Sequence, residues 1–452
     1  MTVFKSVNPY TLQTVGQYHS DNQQQVETKI KLAQKTQTDW ADLSFEQRSV
    51  YFLQLADYLR TNKQWIAELI TAEMGKILPE ASIEVERCVK QCVHYASDTA
   101  VFLKTDIVPT DARLSAVSYE PVGVVLGIMP WNFPIWQVLR YAVPAIMAGN
   151  VTLLKHAPNV LGCALVIEQA FLKSGFPAGV FQVIITDTDA IPRILADDRV
   201  GMVTLTGSER AGASVAAIAG ANIKKSVLEL GGSDALIVLP DADLAAAAAV
   251  AVQSRMRNAG QACIAAKRFL VDVAVKKEFT ERVFELIKNY KQGDPTAADT
   301  QIGPLARLDL AQNLERQLTQ SIQQGARLLT GGLRQACNFQ PTLLDNVTPD
   351  NVAFQEETFG PLAVVTQTKN EQQAIEYANQ SRFGLSASIW TADLDKAQRL
   401  AKKLAVGSVF VNAIVQSNTR LPIGGVKKSG YGRELAEEGI KEFCNTKTLY
   451  VR

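Results

Sequence analysis

Val122-Gly123-Val124-Val125-Leu126-Gly127-Ile128 is a short β-branched and apolar run that stops at Met129-Pro130-Trp131-Asn132-Phe133-Pro134, where a proline on each side fixes a turn. Runs of the same kind recur at 151–155, 181–185, 202–206 and 226–230, separated by stretches of helical periodicity. Strands spaced by helices of that length predict right-handed βαβ units and a mostly parallel, doubly wound sheet. Ligands of such sheets bind at the C-terminal strand ends. A second set is expected at 267–273, 339–344, 362–368, 387–390 and 408–412, with helices over 276–290 and 370–380. The expected fold is therefore α/β, with two lobes facing each other across a cleft.

Outward from these sets the texture changes. Residues 23–104 repeat their apolar positions at helical spacing; Ser44, three residues before Gln47, opens a capping box, and 81–102 reads as one long helix. After Pro109, Leu114-Ser-Ala-Val-Ser-Tyr-Glu120 alternates as an exposed strand does, and Lys447-Thr-Leu-Tyr-Val-Arg452 reads as a final strand. The alanines at 245–249, behind Asp241 and Asp243, predict a tightly packed helix.

Composition narrows the partners. Of 452 residues, 47% are apolar and 20% charged, with 46 basic against 45 acidic side chains. No field favours nucleic acid or a membrane surface, so a small molecule is the expected partner. The N-terminus has no apolar signal region, and the densest apolar run, 244–252, is far too short to span a bilayer. Six scattered cysteines do not form a disulfide framework and suit a reducing, cytoplasmic setting. Cys88 and Cys92 fall on one packed helical face. The three histidines, His19, His94 and His156, have no ligand-like spacing, so no metal is expected.

Gly260-Gln-Ala-Cys263 ends a helical run and precedes a strand, which exposes the thiol on a turn. With no histidine to pair with it, its base should be a carboxylate. Leu228-Glu229-Leu230-Gly231-Gly232 offers one at a strand end, where desolvation raises its pKa toward a useful range and the glycines admit a close approach. Asn132, in the turn between two prolines, can donate its side-chain amide to a developing oxyanion.

Pro130-Trp-Asn-Phe-Pro134, Leu228-Glu-Leu-Gly-Gly232, Gly260-Gln-x-Cys263, Glu357-Thr-Phe-Gly-Pro361 and Pro422-Ile-Gly-Gly-Val-Lys-Lys-Ser-Gly-Tyr-Gly-Arg-Glu434 occur in the order seen in aldehyde dehydrogenases. The chain resembles that superfamily over nearly its whole length. The resemblance implies two doubly wound Rossmann-type lobes plus a small β oligomerisation element. The cofactor-binding domain would span 1–111 and 131–230, the catalytic domain 231–425, and the oligomerisation strands 112–130 and 431–452, giving a homodimer or homotetramer. It implies Cys263 as nucleophile toward the aldehyde, Asn132 with the Cys263 backbone N–H as oxyanion donors, and Glu229 as the base that hydrolyses the thioester.

A Gly-x-Gly-x-x-Gly fingerprint is absent. The family uses a strand followed by Gly-x-x-x-x-Gly, matched by Gly207 to Gly212, with Ser208 meeting the pyrophosphate. Trp131, Gly231, Glu357 and Phe359 would surround the nicotinamide end, and Lys155 would reach the adenosine ribose. Where NAD-specific members often carry a Glu, this chain has Pro158, so a 2′-phosphate would meet Lys155, helped by His156 or Arg210. NADP is expected to be accepted, with NAD as an alternative. Arg140, Arg257 and Ser417 match the carboxylate-binding residues of succinate semialdehyde dehydrogenases, and Trp136 and Ile264 would shape an apolar neck. An aldehyde with a terminal carboxylate follows, succinate semialdehyde first and glutarate semialdehyde next. Ala265 excludes a disulfide to the nucleophile. Two rivals are a CoA-acylating relative and a silent structural protein; an intact Glu229 argues against the first and the complete set of reactive groups against the second.

Overall fold

The structure, a computed structural model, describes residues 2–452. The first lobe is built on a six-stranded sheet. From edge to edge its order is Gly430–Tyr431, Lys225–Glu229, Val200–Thr206, Val124–Met129, Val151–His156 and Phe181–Val183. All neighbours are parallel except Gly430–Tyr431, which lies antiparallel to Lys225–Glu229. The chain leaves Val124–Met129 toward one edge, then returns to its other side at Val200–Thr206. That reversal makes the crevice beyond Met129 and Thr206 the place where a ligand meets strand ends.

The second sheet has seven strands, in the order Arg327–Thr330, Thr342–Asp345, Leu362–Thr368, Ala266–Asp272, Asp234–Val238, Ser386–Trp390 and Ser408–Val411. Only Arg327–Thr330 runs antiparallel to its neighbour. Each sheet has its own apolar core, but Ile264, Leu385, Val415 and Ile423 from the second half of the chain pack on the first core. The lobes therefore meet around the residues that follow the nucleophile turn. Expected strands recur within a few residues of their predicted bounds. The capping box is also present, Ser44 accepting from Gln47 N and Gln47 reaching back to Ser44 N at the head of the Phe45–Thr61 helix.

Three features differ from expectation. Asp234–Val238 is a central strand in which every residue is buried, so it shows no alternation to mark it. An N-terminal hairpin of Val3–Val7 and Thr14–His19 precedes the first helix, and its exposed residues carry little patterning. The sheet of three strands covers less than the 112–130 and 431–452 expected of the oligomerisation strands. Leu114–Pro121 pairs antiparallel with Cys444–Val451 and with Asp106–Ile107, whereas Val124–Met129 sits inside the six-stranded sheet and Tyr431 pairs with Leu228. The two sheets part at the turn of Val122 and Gly123, because the strand beyond it is paired on both sides. Among the described residues no helix is long and apolar enough to cross a membrane.

Candidate active site

Asp243 caps the Leu244–Met256 helix by accepting from Ala245 N and Ala246 N, and the chain then reverses through three left-handed residues, Asn258, Ala259 and Gly260, at φ 55°, 51° and 73°. A side chain at Gly260 would collide with the Gly360 carbonyl, so both conformation and proximity require glycine there. Holding Ala259 left-handed costs about 1–2 kcal/mol, and surrounding bonds hold the turn. Asn258 Nδ2 donates to Asn132 O (2.8 Å) and Gln261 O (3.2 Å), and Asn258 N donates to Glu80 (2.9 Å). Buried Arg255 donates to the carbonyls of Gly260 (2.9 Å), Thr358 (3.0 Å) and Gly360. Lys267, also buried, donates to Ala262 O (2.8 Å) and Cys263 O (2.7 Å) and lies 3.5 Å from Glu357.

The Asn132 loop is fixed from the opposite side. Asn132 Nδ2 donates to Gln261 O (3.0 Å), directing the amide nitrogen at the nucleophile turn, while Lys76 Nζ donates to the Asn132 carbonyl (3.0 Å). Lys76 pairs with Glu84, both buried, and stands 3.8 Å above the Phe133 ring. Glu84 accepts from Ile135 N (2.9 Å) and Trp136 N (3.0 Å), which caps the Trp136–Met147 helix.

Glu229 ends its strand in a buried position with Oε1 unpartnered. Burial first, and then the neighbouring Glu434 carboxylate, raise its pKa from 4.5 to about 8, against the opposing pull of Arg140 and Arg433. Burial also pushes the Cys263 thiol up to about 11; Arg140 and Lys267 pull it down, and Glu229 and Glu357 raise it. The thiol, the carboxyl and the Asn132 amide thus converge where the lobes meet.

A cleft of about 480 Å³ opens from Cys263 and Asn132 along Trp131, Gly207, Ser208, Arg210, Gly231, Glu357 and Phe359. Its parts suit a dinucleotide. Ser208 caps the Glu209–Ala221 helix, whose N-terminus faces the cleft with Gly207. A side chain at Gly231 would come within 2.5 Å of Glu357 Oε2, so the glycine leaves that carboxylate its place; Glu357 also accepts from Gly232 N (3.0 Å). Trp131 and Phe359 stand edge to face with centroids 5.7 Å apart. Gly212 lies beneath, packed on Leu230. Lys155 is the last residue but one of its strand and part-buried, and Pro158 opens the short turn after it. His156 is turned away from the expected phosphate. Its Nδ1 and Nε2 face the carbonyls of Met129 (3.1 Å) and Pro134 (2.9 Å), and burial lowers its pKa to about 4. A neutral ring buttressing the Asn132 loop has no donor left for a ligand, so the expected help to a 2′-phosphate is corrected.

A second cavity, of about 270 Å³, is lined by Phe133, Met256, Arg257 and Ile414, and by Glu80 and Arg87 from the long helix. Arg257 lies there, its Nε without a partner. The other expected substrate residues do not. Arg140 pairs with Glu434 and donates to Thr206 Oγ1 (3.3 Å), so its charge belongs to the Glu229 cluster. Trp136 and Ile264 are packed in the core, where apolar burial outweighs exposure to a ligand. Ser417 lines neither cavity, although Ile414 and Gln416 of its loop line this one. Lys76, Glu84 and Lys267 went unnoticed in the sequence. The available signal was charge on a helical face, since Glu80, Glu84 and Arg87 fall at i, i+4 and i+7.

Residues 1–449 match the aldehyde dehydrogenase family model. The chain is 46% identical over 449 residues to a probable succinate-semialdehyde dehydrogenase [NADP(+)] of Synechocystis sp., covering 99% of each chain. It is 44% identical over 448 residues to the succinate semialdehyde dehydrogenase [NAD(P)+] Sad of Escherichia coli, covering 98% of this chain and 97% of that one. The crystal structure of succinic semialdehyde dehydrogenase from Streptococcus pyogenes in complex with NADP+ superposes with a TM-score of 0.97 at 34% identity, covering 99% of both chains.

Proposed function

The chain belongs to the aldehyde dehydrogenase family, and from that premise we propose that it oxidises succinate semialdehyde to succinate, using NADP and accepting NAD as an alternative. The observation that carries this reading is that the thiol and the amide donor line one cleft with a helix N-terminus, near a buried carboxyl of raised pKa, while Phe133, next to Asn132, lines a smaller cavity holding an unpaired arginine. The names of the most similar relatives support the same substrate and cofactor.

In this mechanism Glu229 or solvent takes the Cys263 proton, and Sγ attacks the aldehyde carbon, forming the C–S bond and driving the carbonyl electrons onto oxygen. Asn132 Nδ2 exchanges its bond to Gln261 O for the oxyanion, and the Cys263 backbone N–H adds a second donor. Bound in the cleft, NADP or NAD would supply the hydride acceptor, and Cys263 Sγ would keep the acyl group as its thioester. Glu229 then takes a proton from water as it attacks the thioester, the C–S bond breaks, and the sulfur departs with its electron pair. Ser208 and Gly207 would hold the pyrophosphate, Lys155 the adenosine ribose and its 2′-phosphate with Arg210 nearby, and Glu357 the nicotinamide ribose. Pro158 leaves no carboxylate to repel that phosphate.

We also read the protein as a cytoplasmic homo-oligomer. Six free cysteines suit a reducing compartment. The Cys444–Val451 strand has an unpaired edge and exposed Leu449, Tyr450 and Val451, which favour a second copy, and light scattering on the purified protein tests it.

The enzymatic test follows reduction of NADP and NAD with succinate semialdehyde beside Cys263→Ala. Full activity in the variant overturns the mechanism, and a KM for NADP about a hundredfold above that for NAD, about 2.7 kcal/mol, overturns the cofactor reading. Acceleration by CoA without free acid would point to acyl transfer, and inertness toward every aldehyde to a structural role.

A further inference from the structure

The smaller cavity has a charge problem that its own residues leave unsolved. Arg87 and Arg257 both line it, and among the described residues neither has a hydrogen-bonded carboxylate. Two carboxylates share the space. Glu84 is taken by Lys76, and Glu80 accepts from Asn258 N while facing both guanidinium groups. With Glu84 engaged by Lys76, Glu80 is the one carboxylate left to two guanidinium groups, which leaves a positive charge in excess along a half-open cavity. The arginines also repel each other: Arg87 stands among the causes that lower the Arg257 pKa, after burial. Two guanidinium groups sharing one carboxylate that already accepts from Asn258 N cost stability, which an incoming anion recovers.

We infer that Arg87, projecting from the Leu78–Phe102 helix into the cavity, joins Arg257 as the pair that grips the carboxylate of the aldehyde substrate. This rests on the substrate reading above and adds the residue that discriminates. Arg140 does not take part, because Glu434 holds its guanidinium. Phe133 and Met256 supply apolar wall for the methylenes between carboxylate and aldehyde. At about 270 Å³ the cavity is at the small end of ligand pockets, which start near roughly 300 Å³, and suits a short linear substrate. The same helix anchors both catalytic loops, Glu80 through Asn258 N and Glu84 through Ile135 N and Trp136 N. Arg87 thus projects from the helix that also holds both catalytic loops.

The test compares kcat/KM for succinate semialdehyde and for butanal, its uncharged four-carbon counterpart, in the full-length wild type, Arg87→Met, Arg87→Lys and Arg257→Met. Wild type without a preference for the semialdehyde would sink the substrate reading itself, whatever Arg87 does. Given that preference, Arg87→Met should raise the semialdehyde KM roughly tenfold to a hundredfold with kcat for butanal within about twofold, and Arg87→Lys should recover part of the loss. A role confined to folding would lower both substrates together. The inference is overturned if Arg87→Met keeps the wild-type ratio while Arg257→Met loses it. If the methionine variant does not fold, Arg87→Gln replaces it, and an unchanged ratio there has the same meaning.

Discussion

Replacing Glu434 by glutamine should move the acid limb of the pH–rate profile downward. Turnover requires Glu229 ionised, and with its pKa near 8 the active fraction falls about tenfold for each unit below that, to roughly one hundredth two units lower. Glutamine keeps the shape and most of the bonding capacity of Glu434 but removes a like charge beside Glu229. It also frees Arg140, now ion-paired to Glu434, to act on Glu229 alone. Both changes favour the carboxylate, and a buried opposite charge lowers such a pKa by about one to three units. Burial is the largest cause and persists, so the limb should settle above the ordinary 4.5. The assay is kcat at saturating aldehyde and cofactor across pH, with the first turnover resolved. Wild type at low pH should show a burst of reduced cofactor followed by slow hydrolysis, and the variant a faster steady state. Glu434→Asp, which keeps the charge, should shift less, and Glu229→Gln should lose the limb. A limb unmoved in Glu434→Gln, or a wild-type limb in the ordinary carboxylate range, would refute the reasoning.

Because the Glu229 carboxyl titrates higher in the fold than in the unfolded chain, its contribution to stability is complete below its ordinary pKa and is lost as pH rises through about 8. Melting temperatures should therefore fall more between about pH 5 and pH 9 for wild type than for Glu229→Gln. Lys76→Met leaves Glu84 buried without its partner and should cost about 3–5 kcal/mol in denaturant unfolding, while Lys76→Met with Glu84→Gln recovers part of it. Gly231→Ala places a methyl group against Glu357 and should raise the cofactor KM about tenfold or more, with alkylation of Cys263 in the cofactor-free enzyme unchanged. Slower alkylation would mean that the methyl group disturbs the nucleophile turn instead.

Much of the fold was legible because buried parallel strands announce themselves as β-branched runs between helices, and the strand near residue 124 did so from its first valines. Asp234–Val238 escaped because it is short, begins with a charged residue and follows Lys225–Glu229 with no helix between them. The division between the two neighbouring sheets was no more legible. Leu114–Pro121 and Val124–Met129 are separated by only a two-residue turn, and nothing local states that one joins the terminal strand while the other enters the six-stranded sheet.

The sequence by itself determined the chemistry available: a thiol on a turn, a desolvated glutamate before two glycines, and an amide between two prolines, each set by local backbone grammar. Only the tertiary structure decided how the charges are allocated. Arg140 and His156 have the right composition for ligand contact, yet one is consumed by Glu434 and the other by two backbone carbonyls. Arg87, far from either lobe's motifs in the chain, is left without a hydrogen-bonded carboxylate beside Arg257. Whether a cation is spent or free depends on which helices and loops pack against it, and that packing joins segments hundreds of residues apart.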